Sequence, residues 1–171
     1  MNYSVTASKD DSGYLLTHYG EIKAESCDYN GHLNEGHALV MLSLATDTIL
    51  DAIKLDAAGR ERLNFSAFTV QNNLYYRAEG HEGQAVFAQS QVLAFDEKRL
   101  RMFHRLLDAN DGTVLVELEC LMLGVDMAAR RAAAWPEAVA EAISTLAQSQ
   151  NTLPVPDNAG QAITKPALSN Y

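Results

Sequence analysis

Cysteine is scarce: the chain carries two, Cys27 and Cys120, in 171 residues. They stand far apart, with no Cys-x-x-Cys spacing and no His-rich companion. Neither a disulfide framework nor a zinc site is indicated by that spacing, so both are read as reduced thiols. Basic residues are in deficit, with 13 Lys and Arg against 22 Asp and Glu, a formal net charge of −9 and a pI near 4.9. A field of that sign repels phosphate backbones and anionic lipid. Neither nucleic acid nor a membrane surface is therefore expected as a partner, and an anionic ligand would need a local basic patch. Long apolar runs are also missing: the best candidate, Gly36 to Thr46, stops at Asp47 and is too short to span a bilayer. Residues Met1 to Asp11 lack the apolar stretch of a secretory leader, so a cytoplasmic location is expected.

What is present is the composition of an ordinary globular domain, 47% apolar and 20% charged, which excludes disorder as the default state. The length suits one domain with its own core. Residues 1–13 are polar and read as a flexible N-terminus, 14–135 as the folded domain, 136–149 as a C-terminal helix and 150–171 as an irregular tail. After Pro136, Val139, Ile143 and Leu146 recur at helical spacing, which marks that last helix as amphipathic.

The strongest helical signal runs from Asn34 to about Ile53. Asn34 suits an N-cap and Glu35 the first turn, while Leu39 to Leu42, Leu44, Ala45, Ile49, Leu50 and Ile53 surround the axis on nearly every side. A helix of that kind must be buried. A short strand is expected around Tyr19 to Ser26, and four more over Phe65 to Tyr76, Gln84 to Phe95, Lys98 to Leu107 and Thr113 to Asp126. Gly80 to Gly83, Asp96-Glu97 and Asp108 to Gly112 supply the turns that join these four strands. The predicted class is α+β, one antiparallel sheet wrapped around one long central helix. Because a single sheet leaves part of such a helix uncovered, self-association as a dimer is expected.

The chemistry-bearing string is Asp28-Tyr29-Asn30-Gly31-His32-Leu33-Asn34, at the junction of the first strand and the buried helix. Backbone N–H groups at a helix start can hold an oxyanion, and a carboxylate beside them can serve as general base or nucleophile toward an acyl carbon. The competing reading is structural: Asp28 forms an Asx-turn, Asn34 caps the helix and His32 is a satisfied polar contact.

That string resembles the Asp-x-x-Gly-His-x-Asn signature of hotdog-fold acyl-CoA thioesterases, the group of the 4-hydroxybenzoyl-CoA thioesterase relatives. Further matches are Ala45-Thr46-Asp47, Thr69-Val70, Asp96-Glu97-Lys98-Arg99-Leu100, Phe103-His104-Arg105-Leu106 and Val125-Asp126. Over roughly residues 20–135 these resemble the betainyl-CoA thioesterases of bacterial carnitine breakdown. The resemblance implies the hotdog fold, hydrolysis of an acyl-CoA and no metal or other cofactor. It also implies a homodimer with the acyl-CoA site between subunits. It assigns catalysis to Asp28, backbone polarisation to the helix start at Gly31 to Asn34, and loop geometry to His32. Two positions depart from the pattern: Ala38 stands where many relatives carry an aromatic, and Arg101 where the closer group tends to have His. A non-catalytic acyl-CoA or metabolite-binding module on the same fold is the alternative. A dehydratase is disfavoured by the Asp-x-x-Gly-His-x-Asn string.

Three further readings concern substrate binding. Arg99, Arg101 and Arg105 share one face of their strand and would suit coenzyme A phosphates, or they pair across strands with Glu117 and Glu119. Asp47, a carboxylate amid an apolar helix, would pair with a quaternary ammonium acyl group alongside Phe68, Tyr75 or Tyr76. Otherwise it faces solvent or bonds Arg60, Arg62 or a tyrosine hydroxyl. His104 is expected to be a hydrogen-bonded core histidine.

Overall fold

Asn34 takes extended backbone and its Oδ1 accepts the Gly36 amide at 2.9 Å. That bond satisfies an otherwise orphaned N–H and starts α1, Glu35–Ala52. The computed structural model describes residues 3–161; the part of the expected tail from residue 162 onward lies outside them. Around α1 curls one antiparallel sheet of β1 (Thr6–Lys9), β2 (Leu15–Glu21), β3 (Phe65–Tyr76), β4 (Ala85–Phe95), β5 (Arg99–Asp108) and β6 (Val114–Asp126), in the order β1-β2-β4-β5-β6-β3. A two-residue strand β7 (Arg131–Ala132) pairs with β6. A short helix α2 (Ala57–Leu63) follows α1, and α3 (Glu137–Ser149) follows β7. This is the hotdog arrangement.

Four places differ from expectation, α2 and β7 being two where no helix or strand was expected. The first core strand is β2, four residues earlier than predicted, and Ala24–Ser26 is a turn of 3₁₀ helix instead. The N-terminal segment, expected to be flexible, contributes β1 at the sheet edge. All four β1 residues are exposed, so its pairing is main-chain only and leaves no apolar pattern in the sequence.

The core is the interface of α1 with the sheet's concave face. Met41, Leu42, Ala45 and Ile49 of α1 are fully buried, as are Leu100, Met102 and Leu106 of β5. α1 lies against β2, β4, β5 and β6. Polar pins fix it in that apolar setting. Tyr19 OH donates to Met41 O at 2.7 Å, and the hydroxyls of Thr17 and Thr48 meet at 2.7 Å. His104 is wholly buried, with Nδ1 2.8 Å from Ser90 Oγ and Nε2 3.2 Å from Thr46 Oγ1, so it joins β4, β5 and α1. Helix α3 buries Val139, Ile143 and Leu146 in the same core, against β4. Beyond it Gln150 closes the gap where β2 ends opposite Ser90. Its side chain donates to Gly13 O and Ser90 O and accepts Val92 N–H. Each buried main-chain group that β2 leaves unpaired there gains a partner.

One flank of α1 stays bare. Val40 is 43% exposed, and on β3, the last strand of the sheet, Phe68, Val70 and Tyr76 are 45, 52 and 55% exposed. The expectation of a wholly buried helix therefore does not hold for one copy of the chain.

Burial pulls the His104 imidazole from its ordinary 6.5 down to about 4. The unfolded chain therefore takes up this proton first as pH falls. The stabilisation is complete above pH 6.5 and is withdrawn between there and about 4, at a slope of roughly 1.4 kcal/mol per pH unit. His104→Gln should remove that component from the stability–pH profile measured by urea denaturation. An identical profile in the variant would contradict neutral burial.

Candidate active site

The segment between the 3₁₀ turn and α1 is a loop that bonds mostly to itself. Cys27 and Leu33 face each other in a single antiparallel bridge. Inside it the Asp28 N–H donates to His32 O at 2.8 Å and the Gly31 N–H to Asp28 O at 3.0 Å. The Asp28 carboxylate accepts the Asn30 N–H at 2.8 Å and the His32 N–H at 3.2 Å, both on Oδ1. Gly31 sits at φ +78°, a region that a residue with a Cβ enters at a cost of about 1 kcal/mol. Backbone donation, chiefly from Asn30, holds the Asp28 carboxyl below the usual carboxylate range, so it is ionised at neutral pH. The structural reading of this string and the catalytic one are thus compatible. One carboxylate oxygen shapes the turn while the group as a whole stays charged.

The loop's own bonds occupy the amides expected to hold an oxyanion. Besides the Gly31 and His32 amides, the Leu33 N–H donates to Gly80 O at 2.7 Å and the Asn34 N–H to Ser26 O at 3.0 Å. All four amides from Gly31 to Asn34, where polarisation of a carbonyl was expected, are therefore already used. Within the first turn of α1, Gly36 N–H is taken by the Asn34 cap and Ala38 N–H by Asn34 O. Among the described residues the amides of Glu35 and His37 keep no partner. These two are the donors that the helix start offers to an oxyanion, and the sequence reading stopped one residue short of them. His37 Nδ1 is likewise buried without a partner among the described residues. Tyr76, at the far end of β3, reaches the same helix start and donates to Glu35 O at 3.3 Å.

Asp47 lies elsewhere. It borders a cavity of about 490 Å³ on the bare flank of α1, lined among others by Leu39, Ser43, Phe68, Asn72 and Cys120. Phe68 of the candidate aromatics thus joins Asp47, while the other two do not. Asp47 forms no hydrogen bond or ion pair among the described residues, and partial burial raises its pKa against the pull of Arg60. Arg60 itself turns its guanidinium to Leu55 O at 2.6 Å, so of the structural alternatives for Asp47 exposure to solvent is the one realised, and none of the three bonding partners is. Cys120, beside it, is an inert thiol, its pKa pushed up by burial to about 11.

Tyr75 is on the opposite face of the sheet. Its hydroxyl accepts from Asn73 Nδ2 at 2.7 Å and donates toward the carbonyls of Asn158 and Gln161, and the Arg77 guanidinium stacks on its ring at 5.0 Å. The arginines share that face. Arg101 pairs with Glu119, Arg105 with Glu117 at 3.1 Å, Arg77 also with Glu117 at 2.8 Å, and Arg99 with Asp96 at 2.5 Å. The chain from Pro154 to Gln161 then lies over this ladder, with Asn158 Nδ2 donating to Glu117 Oε2 at 3.0 Å and the Gly160 N–H to Glu119 Oε2 at 2.6 Å. Pairing across strands with Glu117 and Glu119 is realised for Arg105 and Arg101, whereas Arg99 pairs instead with Asp96 in the turn before β5. Neither Arg99 nor Arg101 adjoins the Asp28 loop or the Asp47 cavity.

Residues 22–143 match the thioesterase-like superfamily. The chain is 34% identical over 157 residues to a betainyl-CoA thioesterase of Pseudomonas aeruginosa, covering 92% of this chain and 99% of that one. It is 36% identical over 149 residues to an L-carnitine dehydrogenase/betainyl-CoA thioesterase of Agrobacterium fabrum, a match over 87% of this chain that spans only 30% of that longer protein. In fold it resembles protein SAV2348 of Staphylococcus aureus, solved in complex with CoA, with a TM-score of 0.81, 23% identity and coverage of 97% and 98% of the two chains. With the hotdog sheet, the Asp28 loop at the helix start and a relative matched along almost its whole length, the chain belongs to the thioesterase-like superfamily.

Proposed function

We propose that the protein hydrolyses betainyl-CoA to betaine and free coenzyme A, as a homodimer whose two sites each draw on both subunits. The observation that carries this reading is Asp47: a carboxylate with no ion pair among the described residues, bordering a cavity with an aromatic ring. A solvent-facing, unpaired carboxylate that shares a cavity with an arene suits a quaternary ammonium, which cannot donate hydrogen bonds and is held by charge and by π-faces. The 34% identity to a betainyl-CoA thioesterase points the same way.

The substrate's size then argues for two subunits. In a betainyl thioester the quaternary nitrogen is one methylene from the carbonyl carbon, so the cation site and the oxyanion site must adjoin. Within one chain they do not: Asp47 is roughly 20 Å along α1 from Asn34 at ~1.5 Å per residue. A two-fold axis beside β3 that sets two α1 helices antiparallel brings the helix start of one protomer next to Asp47 of the partner subunit. It also covers Val40, Phe68 and Val70 and pairs the open edge of β3, which a soluble chain otherwise leaves exposed to aggregation.

In that site the Glu35 and His37 amides hold the developing oxyanion. Asp28 brings oxygen to the carbonyl carbon, either directly or through a water whose proton it takes. The C–S bond breaks, coenzyme A leaves as the thiolate and is protonated, and water supplies the second oxygen of the released acid. Charge on the substrate and charge on Asp47 cancel on binding, so Asp47 contributes to affinity for cationic acyl groups and little to neutral ones.

Asp28→Asn keeps the amide acceptor on the loop but removes the charge. It should lower kcat on betainyl-CoA at least about 100-fold, read by thiol release, without shifting the melting temperature. Near-normal turnover would exclude Asp28 from the chemistry. Asp47→Asn should raise KM for betainyl-CoA by about tenfold while leaving acetyl-CoA within about twofold, and equal effects on both would remove the cation site. Light scattering should give a dimer for the parent chain and a monomer for Val70→Lys, and a monomeric parent with full activity would refute the shared site.

A further inference from the structure

Two imidazoles and a carboxylate with no part in the reaction above meet behind the Asp28 loop. His32 Nε2 is 3.6 Å from Glu79 Oε2, and the His81 ring stands edge-on to that of His32 with centroids 4.9 Å apart. One ligand-capable atom from each of the three lies within 4.8 Å of the others.

The backbone beneath them is held firmly. His32 and His81 are opposed in an antiparallel bridge, and the neighbouring Leu33 N–H donates to Gly80 O at 2.7 Å. Gly80 is required by the close approach: a Cβ there would meet Ile22 Cδ1 at 3.0 Å and Leu33 Cβ at 3.2 Å. The His81 N–H donates to Gln84 Oε1 at 2.9 Å, and Gln84 Nε2 to Asp108 Oδ2 at 2.5 Å. The side chains, by contrast, are open to solvent, with 33% of His32 and 69% of Glu79 exposed. They can rotate inward at small cost while the Cα positions stay fixed.

We propose that His32, Glu79 and His81 bind one divalent transition-metal ion, with water in the remaining positions. Two imidazole nitrogens and one carboxylate oxygen suit zinc, cobalt or nickel, which take nitrogen and oxygen ligands at about 2.0–2.2 Å, whereas magnesium and calcium prefer oxygen alone. The ion's effect is on the loop. His32 gives its N–H to the Asp28 carboxylate and its C=O to the Asp28 N–H. A metal that ties the His32 ring to Glu79 and His81 therefore clamps the Asp28 loop onto the β3–β4 connection. Without the ion, His32 and Glu79 form a simple pair across 3.6 Å, which is the rival account.

The test is a cobalt(II) titration of the full chain without a histidine tag, followed by ligand-field absorption. The expected result is one cobalt per chain, displaced by zinc. His81→Ala and Glu79→Gln should each weaken binding by more than about tenfold, and His18→Ala, at an exposed position of β2, should leave it unchanged. Zinc should raise the melting temperature of the parent and not of His81→Ala. Thiol release by His81→Ala in chelator should equal that of the parent in chelator, which separates this site from the catalytic reading. Absence of ligand-field bands in the parent, or binding undiminished in both His81→Ala and Glu79→Gln, overturns the proposal.

Discussion

The fold is organised by the burial of a helix that is apolar on nearly every side. α1 turns only a narrow stripe, Val40, Ser43, Asp47 and Asp51, to water, so the chain must surround the rest. A twisted antiparallel sheet can wrap only part of that circumference, and β2, β4, β5 and β6 do so. Most other features follow from this incomplete cover. The uncovered flank holds the cavity, the edge of β3 lies beside it, and the acid at Asp47 is affordable only because it lies there and not against the sheet.

An apolar helix in an apolar trough could slide or rotate at little cost, because dispersion contacts have no fixed direction. The hydroxyl of Tyr19, the Thr17–Thr48 pair and the Ser90–His104–Thr46 chain remove that freedom. Each is a directed bond in a low-dielectric setting, where misalignment leaves a buried polar group unsatisfied. They set the register of α1 against the sheet, and so the position of the helix start relative to Gly80 and Tyr76.

At that helix start, economy of hydrogen bonding decides which groups can do chemistry. A loop as tight as Asp28 to Asn34 uses its own amides to hold its shape, which leaves the next donors, Glu35 and His37, for a ligand. On the far side of the sheet the same rule consumes the arginines. Each guanidinium finds a carboxylate, and the segment from Pro154 to Gln161 seals part of the ladder, so that Glu117 is only 7% exposed. Positive charge on an acidic protein was a reasonable signal for phosphate recognition. Its partners were already present on the next strand, β6, and in the turn before β5.

Local chemistry was legible where local chemistry decides. The Asn34 cap, the extent of the long helix, the turns at Asp96 and Asp108 and the alternation of β5 and β6 are short-range facts, and the element order with the Asp28 string carried the family resemblance. β1 was invisible because an exposed edge strand pairs through its main chain alone. The unpartnered amides of Glu35 and His37, the fate of Arg99 and Arg101, the separation of Tyr75 from Asp47 and the meeting of His32 with Glu79 and His81 were not legible either. A bulge between Thr69 and Gln71 reverses the face of every later β3 residue, and nothing in the string of residues marks it. By itself the sequence determined the long helix, the four long strands and the C-terminal helix, and that a carboxylate stands at the head of the long helix, since propensity, capping and periodicity act within a few residues. Which amides remain free, which charges cancel and which side chains share a cavity were decided only by the tertiary structure, because those outcomes depend on partners that the chain brings together from distant positions.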